Sequence, residues 1–491
     1  MSYATTAKSN PTMKDPASSR WLALIVLCLG VLMIVLDSTI VNVALPSIRT
    51  DLGFSETSLA WVVNAYILTY GGFMLLGGRL GDLFGQRRLF LIGLSVFTLA
   101  SLACGLATTQ EFLILARGIQ GLGSAVVSAV SLSLIMNLFT DSKERAKAMG
   151  IYGFVCAGGG SIGVLLGGLL TGTLNWHWCF LVNIPVGIVV ISLCLFLLPA
   201  SKGAGVARHL DFAGAITVTA ALLLAVYAVI NGNGAGWASI QTLGMLGAAV
   251  ALLAAFLWIE ARVPAPLMPL GLFWLRNVAT ANLVGICWAA SMFAWFFLSA
   301  LYLQAVLGYS PLQVGLSFLP ANLIMAALSL GLSARLVLRF GMRIPMAGGL
   351  GLVALGLALF ARAPVQGDFL VDVLPAMLLL GLGCGVAFNP VLLAAMSDVA
   401  PSESGLASGV VNTSIMMGGA LGLAILASLA ASRTTALTMA GAAPEVALHG
   451  GYQAAFWVGA IFAVLASIIG ALMLRKPADP EVTTLTESAL S

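Results

Sequence analysis

Charge is what this sequence has least of: 8% of its 491 residues are Asp, Glu, Lys or Arg, against 60% that are hydrophobic. Soluble domains carry about 25% charged residues. A water-soluble globular chain is therefore excluded, and a polytopic membrane protein is indicated. Histidine is down to three residues, and the seven cysteines (Cys28, Cys104, Cys156, Cys179, Cys194, Cys287 and Cys384) stand singly, mostly inside apolar runs. With no Cys-x-x-Cys and no Cys/His spacing, neither a metal site nor a disulfide framework is expected. No Gly-x4-Gly-Lys-[Ser/Thr] loop occurs, so the sequence offers no ATPase of its own. Gly381-x-Gly383-x-Gly385 falls within an apolar helical run with no strand before it. No cofactor is expected. The net charge of +4 belongs to loops and gives no reason to expect nucleic acid as a partner.

What the sequence does have is long apolar runs. A helical span needs ~20 apolar residues, and fourteen spans can be read: about 21–44, 57–77, 88–107, 111–138, 148–172, 178–198, 212–231, 240–259, 278–306, 312–337, 345–362, 372–396, 406–431 and 452–474. The expected fold is all-α, with fourteen transmembrane helices in groups of six, two and six. The expected division is a cytoplasmic tail (1–20), a six-helix bundle (21–198), two inserted helices with flanking loops (199–277), a second six-helix bundle (278–474) and a second cytoplasmic tail (475–491). The tail before Trp21 is polar, and the run after it is too long for a signal-peptide core, so it should stay as the first span. With the N-terminus inside, cytoplasmic segments collect Lys8, Lys14, Arg20, Arg79, Arg87, Arg88, Lys143, Arg145, Lys147, Lys202, Arg208, Arg262, Arg276, Arg335, Arg339, Arg343, Arg475 and Lys476. Only Arg49, Arg362 and Arg433 fall outside, and Arg117 lies within a span. That alternation obeys the positive-inside rule and places both termini in the cytoplasm.

A repeat relates the two six-span groups. Gly78-Arg79-Leu80-Gly81-Asp82-Leu83-Phe84-Gly85-Gln86-Arg87 and Ala334-Arg335-Leu336-Val337-Leu338-Arg339-Phe340-Gly341-Met342-Arg343 agree at Arg79, Leu80, Phe84, Gly85 and Arg87. Repeated halves are how many secondary transporters build a central site.

The chemistry concentrates at Leu36-Asp37-Ser38-Thr39-Ile40-Val41-Asn42-Val43-Ala44-Leu45-Pro46, which closes the first apolar run. An aspartate at a helix centre costs about 2.5–3.5 kcal/mol on insertion scales, so a partner, a wet cavity or a proton must offset it. Arg117, in Arg117-x2-Gln120-Gly121-x-Gly123, is the partner at matching depth. Asp37 sits ~24 Å along its helix from Trp21, and Arg117 lies a few residues inside the opposite face of a ~30 Å core. The loop at 78–88 sets Gly78, Asp82, Gly85 and Arg87 at a spacing that fits a conformational latch, with Arg145 a second candidate partner for Asp82. Gly159, Gly163, Gly167 and Gly168 form a small-residue face for tight helix packing, a seam along which the halves would rock. The tryptophans of Trp176-His177-Trp178 are expected to anchor at the membrane interface.

These residues resemble the drug:proton antiporters of the major facilitator superfamily, in its fourteen-span branch, from about residue 20 to 475. The resemblance is carried by Leu36 to Pro46, Gly78 to Arg88, Arg117-x2-Gln120-Gly121, Trp176 to Gly187, Asp211-Phe212-Ala213-Gly214 and Ser408-Gly409-x2-Asn412-Thr413. Two positions depart from the family pattern. Gly163 is followed by Val164 where a proline is usual, which removes a ring-enforced kink. His177 stands where an arginine is usual.

The expected function is proton-coupled export of small amphipathic or cationic compounds across a cytoplasmic (inner) membrane by alternating access. Asp37 and Arg117 would couple protons. Candidate cavity residues are Met33, Asn42, Tyr66 and Gln120 in the first half and Trp288, Phe296, Asn389 and Asn412 in the second, a wall in which methionine and aromatics adapt to shape. Expected partners are a small-molecule substrate, protons and the lipid bilayer, with a single chain as the transport unit and a periplasmic adaptor protein as a further candidate. Two alternatives stay open: a transporter of one metabolite, or a membrane-embedded enzyme. The latter needs converging catalytic groups at membrane depth, where only Asp37 and Arg117 are found.

Overall fold

The computed structural model describes residues 16–139, 141–198, 211–264, 266–328, 332–397, 399 and 404–475. Within the helices, the side chains of Asp82 and Arg145 lie outside the described set, so the expected latch between them does too. Every regular element among the described residues is helical. Among the described residues, thirteen helices are long and apolar enough to cross a membrane, and Pro311–Ala327 adds a shorter apolar one. Large apolar side chains on their outer faces are open, as at Leu99, Leu115, Phe196 and Val250. Acyl chains cover such a surface in a bilayer, and the chain is a multi-pass membrane protein.

In the first part, α1 (Pro16–Leu52), α2 (Glu56–Phe84), α3 (Gln86–Gly105), α4 (Gln110–Leu138), α5 (Ser142–Thr173), α6 (Trp178–Leu181) and α7 (Asn183–Leu197) pack on one another. Next come α8 (Phe212–Ala235) and α9 (Ile240–Glu260), which pair with each other while α8 also leans on α2. The last part holds α10 (Arg276–Ala305), α11 (Pro311–Ala327), α12 (Ser333–Phe340), α13 (Arg343–Phe360), α14 (Leu374–Met396), α15 (Ser404–Met439) and α16 (Pro444–Met473), packed on each other. The two outer groups meet along α2–α15 and α5–α11.

Several boundaries differ from the sequence expectation. The first helix runs through Pro46 to Leu52, where the apolar run alone predicts an end near Ala44. Proline removes one backbone donor, but tight packing of this segment, in which Val43, Ala44, Leu45 and Ile48 are fully buried, holds the helix together. The sixth span is two helices broken at Val182. Pro185 lacks the N–H that would bond back across this point.

The repeated loops take the same shape. Gly85 and Gly341 both sit at positive φ, 92° and 72°, each ending one helix just before the next begins. A side chain is strained there, which is why Phe-Gly-x-Arg recurs as a unit. Arg79, Arg87, Arg276, Arg339 and Arg343 cluster at the end of the bundle with these turns. That end is called the arginine-rich end below, and the end with the α1–α2 turn the arginine-poor end.

Candidate functional site

Asp37 on α1 is fully buried, as are Arg117 and Gln120 on α4 and Ser101 on α3, and Asn183 at the start of α7 is 3% exposed. Arg117 and Gln120 are three residues apart and share a helix face, so both reach the same carboxylate. Arg117 Nη1 donates to Asp37 Oδ2 at 2.5 Å and to Gln120 Oε1 at 2.6 Å. Gln120 Nε2 donates to Asp37 Oδ1 at 2.7 Å and to Ser101 Oγ at 2.6 Å. Asn183 Nδ2 completes the ring, donating to Asp37 Oδ1 at 3.1 Å and to Ser101 Oγ at 3.0 Å. The rest of the guanidinium is used as well. Its Nε donates to the Val62 carbonyl at 3.0 Å, and its carbon lies 4.2 Å from the centre of the Tyr66 ring.

The glycines of the fourth-span motif explain how so polar a cluster is sealed. A Cβ on Gly121 would stand 2.4 Å from the Tyr66 carbonyl oxygen, and one on Gly123 would stand 2.7 Å from the Phe97 nitrogen. Their absence of side chains lets α2 and α3 close on α4 around the pair. Removing each ion from water costs several kcal/mol, and only full hydrogen bonding with close ion-pair geometry offsets that. Here each oxygen of Asp37 has at least one donor.

The structure therefore brings Asp37, Arg117, Tyr66 and Gln120 together. The other cavity candidates make no hydrogen bond to this cluster, although Met33 lies one turn before Asp37 on α1. Met33 is buried. Asn42 donates from Nδ2 to the Ser38 carbonyl of its own helix at 3.1 Å. In the second half, Trp288 packs 5.9 Å from the Phe388 ring, and Phe296 stacks on Phe318 at 5.4 Å with an 8° angle between the rings. Asn389 and Asn412 are half-buried on α14 and α15. Of the latch residues, Gly78 has only Ala129 Cβ near the position of a Cβ, 3.8 Å away, Gly85 forms the α2–α3 turn, and Arg87 Nη2 donates to the Leu195 carbonyl at 2.5 Å. In the glycine face, Gly159, Gly163 and Gly167 lie against α1 within one half, at Val35, Leu36 and Ile40, while Gly168 alone faces α11.

Sequence reasoning missed Ser101 and Asn183. Asn183 lay in the Trp176–Gly187 stretch, but a neutral amide there carries no signal of its own. It also passed over Asn64 and Asn322, 0% and 1% exposed, whose amide nitrogen and oxygen both lack a partner. Trp176 is 3% exposed, with Nε1 donating to Oδ2 of the exposed Asp51 at 2.9 Å. Trp178 is 44% exposed.

At the arginine-poor end the halves are in close contact. Gln304 Nε2 on α10 donates to the Val43 carbonyl on α1 at 3.0 Å. A Cβ on Gly168 would lie 2.6 Å from the Pro311 carbonyl oxygen, and one on Gly315 would lie 2.9 Å from that of Val164.

Two helical groups meeting across an interface, with a polar site inside the membrane, match the way many secondary transporters are built. The chain belongs to the Major Facilitator Superfamily, whose family model matches residues 27–423. It is similar to a puromycin resistance protein, pur8, of Streptomyces alboniger, with 40% identity over 93% of this chain and 92% of that one. The cephamycin export protein CmcT of Amycolatopsis lactamdurans is 38% identical over 96% of each chain. A multidrug resistance protein, Stp, of Mycobacterium tuberculosis is 39% identical over 84% of this chain and 76% of that one. Among solved structures, the inward open conformation of the xylose transporter XylE from E. coli superposes with a TM-score of 0.62 over 95% of this chain and 99% of that one, at 16% identity. That likeness is one of fold.

Proposed function

We propose that this chain exports small amphipathic compounds, antibiotics among them, across the cytoplasmic membrane in exchange for protons, as a single-chain unit with both termini in the cytoplasm. The observation that carries the coupling is Asp37, a carboxylate with no exposure that is held by Arg117, Gln120 and Asn183. Arg117, Gln120 and Asn183 all donate to the Asp37 carboxylate. A proton on Asp37 cancels the ion pair and leaves Arg117 buried with neutral acceptors only, a state that costs several kcal/mol until the helices shift. The proton thus acts by repacking α1, α4 and α7 rather than by meeting the substrate at one carboxylate.

In this reading, the present arrangement has the arginine-poor end shut, and that end is the outer one. Its contacts, Gln304 to Val43 and α5 to α11, are those that must break for release. Substrate sits between the halves, where the Phe296–Phe318 stack supplies an apolar wall and Asn64 and Asn322 supply unused donors and acceptors. Buried amides without partners are costly, and a bound molecule or the alternate packing would satisfy them. The names of the curated relatives direct the first assays to puromycin and a cephamycin. The test is a panel of such compounds in proteoliposomes with an imposed pH gradient. Gradient-driven movement of at least one compound is expected, and movement that ignores the gradient would contradict proton exchange.

A further inference from the structure

The inserted helices carry a second buried acidic arrangement, well removed in the chain from Asp37. Asp211 caps α8, with Oδ1 accepting from the Gly214 amide at 2.7 Å. Glu260 ends α9, with Oε2 accepting from the Met268 amide at 3.1 Å. The two residues are 4% and 3% exposed, and the remaining oxygens, Asp211 Oδ2 and Glu260 Oε1, have no hydrogen-bond partner. Both crowd one point: a Cβ on Gly214 would meet them at 2.4 and 2.9 Å. Two carboxylates crowded at one buried point repel each other unless a proton or a cation lies between them.

Among the described residues, no cation forms an ion pair with either. On α2, the Arg79 guanidinium is spent on the Pro266 carbonyl at 2.9 Å, while the Asp82 side chain lies outside the described residues. Arg262, just past α9, lies over the Trp258 ring at 4.3 Å, and Arg276 on α10 donates to the Met473 carbonyl at 2.8 Å. No other charged residue occurs in α8 or α9.

We propose that Asp211 and Glu260 hold one proton between Oδ2 and Oε1, a proton-binding site separate from Asp37–Arg117. Its consequence lies in what the pair fastens. Leu267 packs with Leu76 of α2 and Ala215 of α8, and Leu272 packs with Val278 of α10 and Val410 of α15. The segment from Pro266 to Leu275 therefore straps both halves at the arginine-rich end, and Glu260 holds its start through Met268. Loss of the shared proton sets two carboxylates against each other and loosens both caps at once.

The test is infrared difference spectroscopy of the purified full chain in lipid, titrated from about pH 5 to about pH 9, with amide hydrogen exchange at Gly214 and Met268. A protonated-carboxyl band that disappears as pH rises is expected, together with falling protection at both amides. Glu260→Gln supplies a permanent donor to Asp211, so it should lose the band and keep its protection at every pH. Asp211→Asn should do the same should the first variant fail to fold, and Asp37→Asn should leave this band in place. The proposal is overturned if no such band is present in the native chain, or if both variants titrate as it does. Neither result depends on whether the chain moves protons in transport.

Discussion

Replacing Arg117 by methionine keeps much of the side chain's length and removes its charge. The structure sets the cost. Asp37 loses the 2.5 Å ion pair, Gln120 Oε1 loses its 2.6 Å donor, the Val62 carbonyl loses its 3.0 Å donor, and Tyr66 loses the cation over its ring. Removing one member of a buried ion pair costs about 3–5 kcal/mol, because the other charge stays behind. At about 2 °C per kcal/mol, the low end for large domains, the apparent melting temperature in detergent should fall by about 6–10 °C. Asp37→Asn alone should cost less, because the amide keeps an acceptor for Arg117 and donors for its neighbours. In the double variant Asp37→Asn/Arg117→Met no charge is left buried, so at least 1 kcal/mol should be recovered relative to the sum of the single losses. Melting curves by size-exclusion survival measure all four proteins. An Arg117→Met variant that melts with the native chain, or losses that simply add, would refute a sealed and mutually dependent pair.

Gly167→Val should abolish folded protein in membranes, because its Cβ alone would stand 2.5 Å from the Ile40 carbonyl oxygen on a backbone that cannot step aside; normal yield would mean α1 and α5 slide freely. Gln304→Leu removes the donor to the Val43 carbonyl, a bond worth about 0.5–1.5 kcal/mol. Spin-label distances across the arginine-poor end should show the open population rising by roughly two- to tenfold, and an unchanged distribution would remove this contact from the gate. Asn183→Ala should lower the melting temperature by about 2 °C through loss of about 1 kcal/mol, without abolishing the Asp37–Arg117 pair. Reporter fusions at residues 10 and 480 should report the same side of the membrane, and opposite sides would overturn the proposed topology.

The parts of this protein that the sequence made legible are those where membrane physics leaves few options. Charge is so rare at depth that Asp37 and Arg117 had only each other, and the structure pairs them. Phe84-Gly85 and Phe340-Gly341 were legible as a repeat because a positive φ admits little else. Neutral polar residues were not legible. Ser101 and Asn183 lie on α3 and α7, and nothing in composition or period distinguishes them from helix-packing residues. Their role arises from where α7 meets α1 and where α3 meets α4 and α7. The end of α1 was not legible for a related reason, since its continuation through Pro46 to Leu52 depends on the packing around the proline. The glycine face was legible as a packing surface, but its partner was not: α1 takes three of its residues and α11 only Gly168.

The account rests on Asp37 as the group that couples proton movement to transport, and one measurement reaches it directly. Native chain and Asp37→Asn are reconstituted at equal amounts, and uptake of a transported compound is followed with and without an imposed pH gradient. Binding is measured in parallel to show that the variant is folded. The native chain should accumulate the compound only with the gradient, while Asp37→Asn should bind it and equilibrate it without accumulation. Gradient-driven accumulation by Asp37→Asn at the native rate would contradict the account.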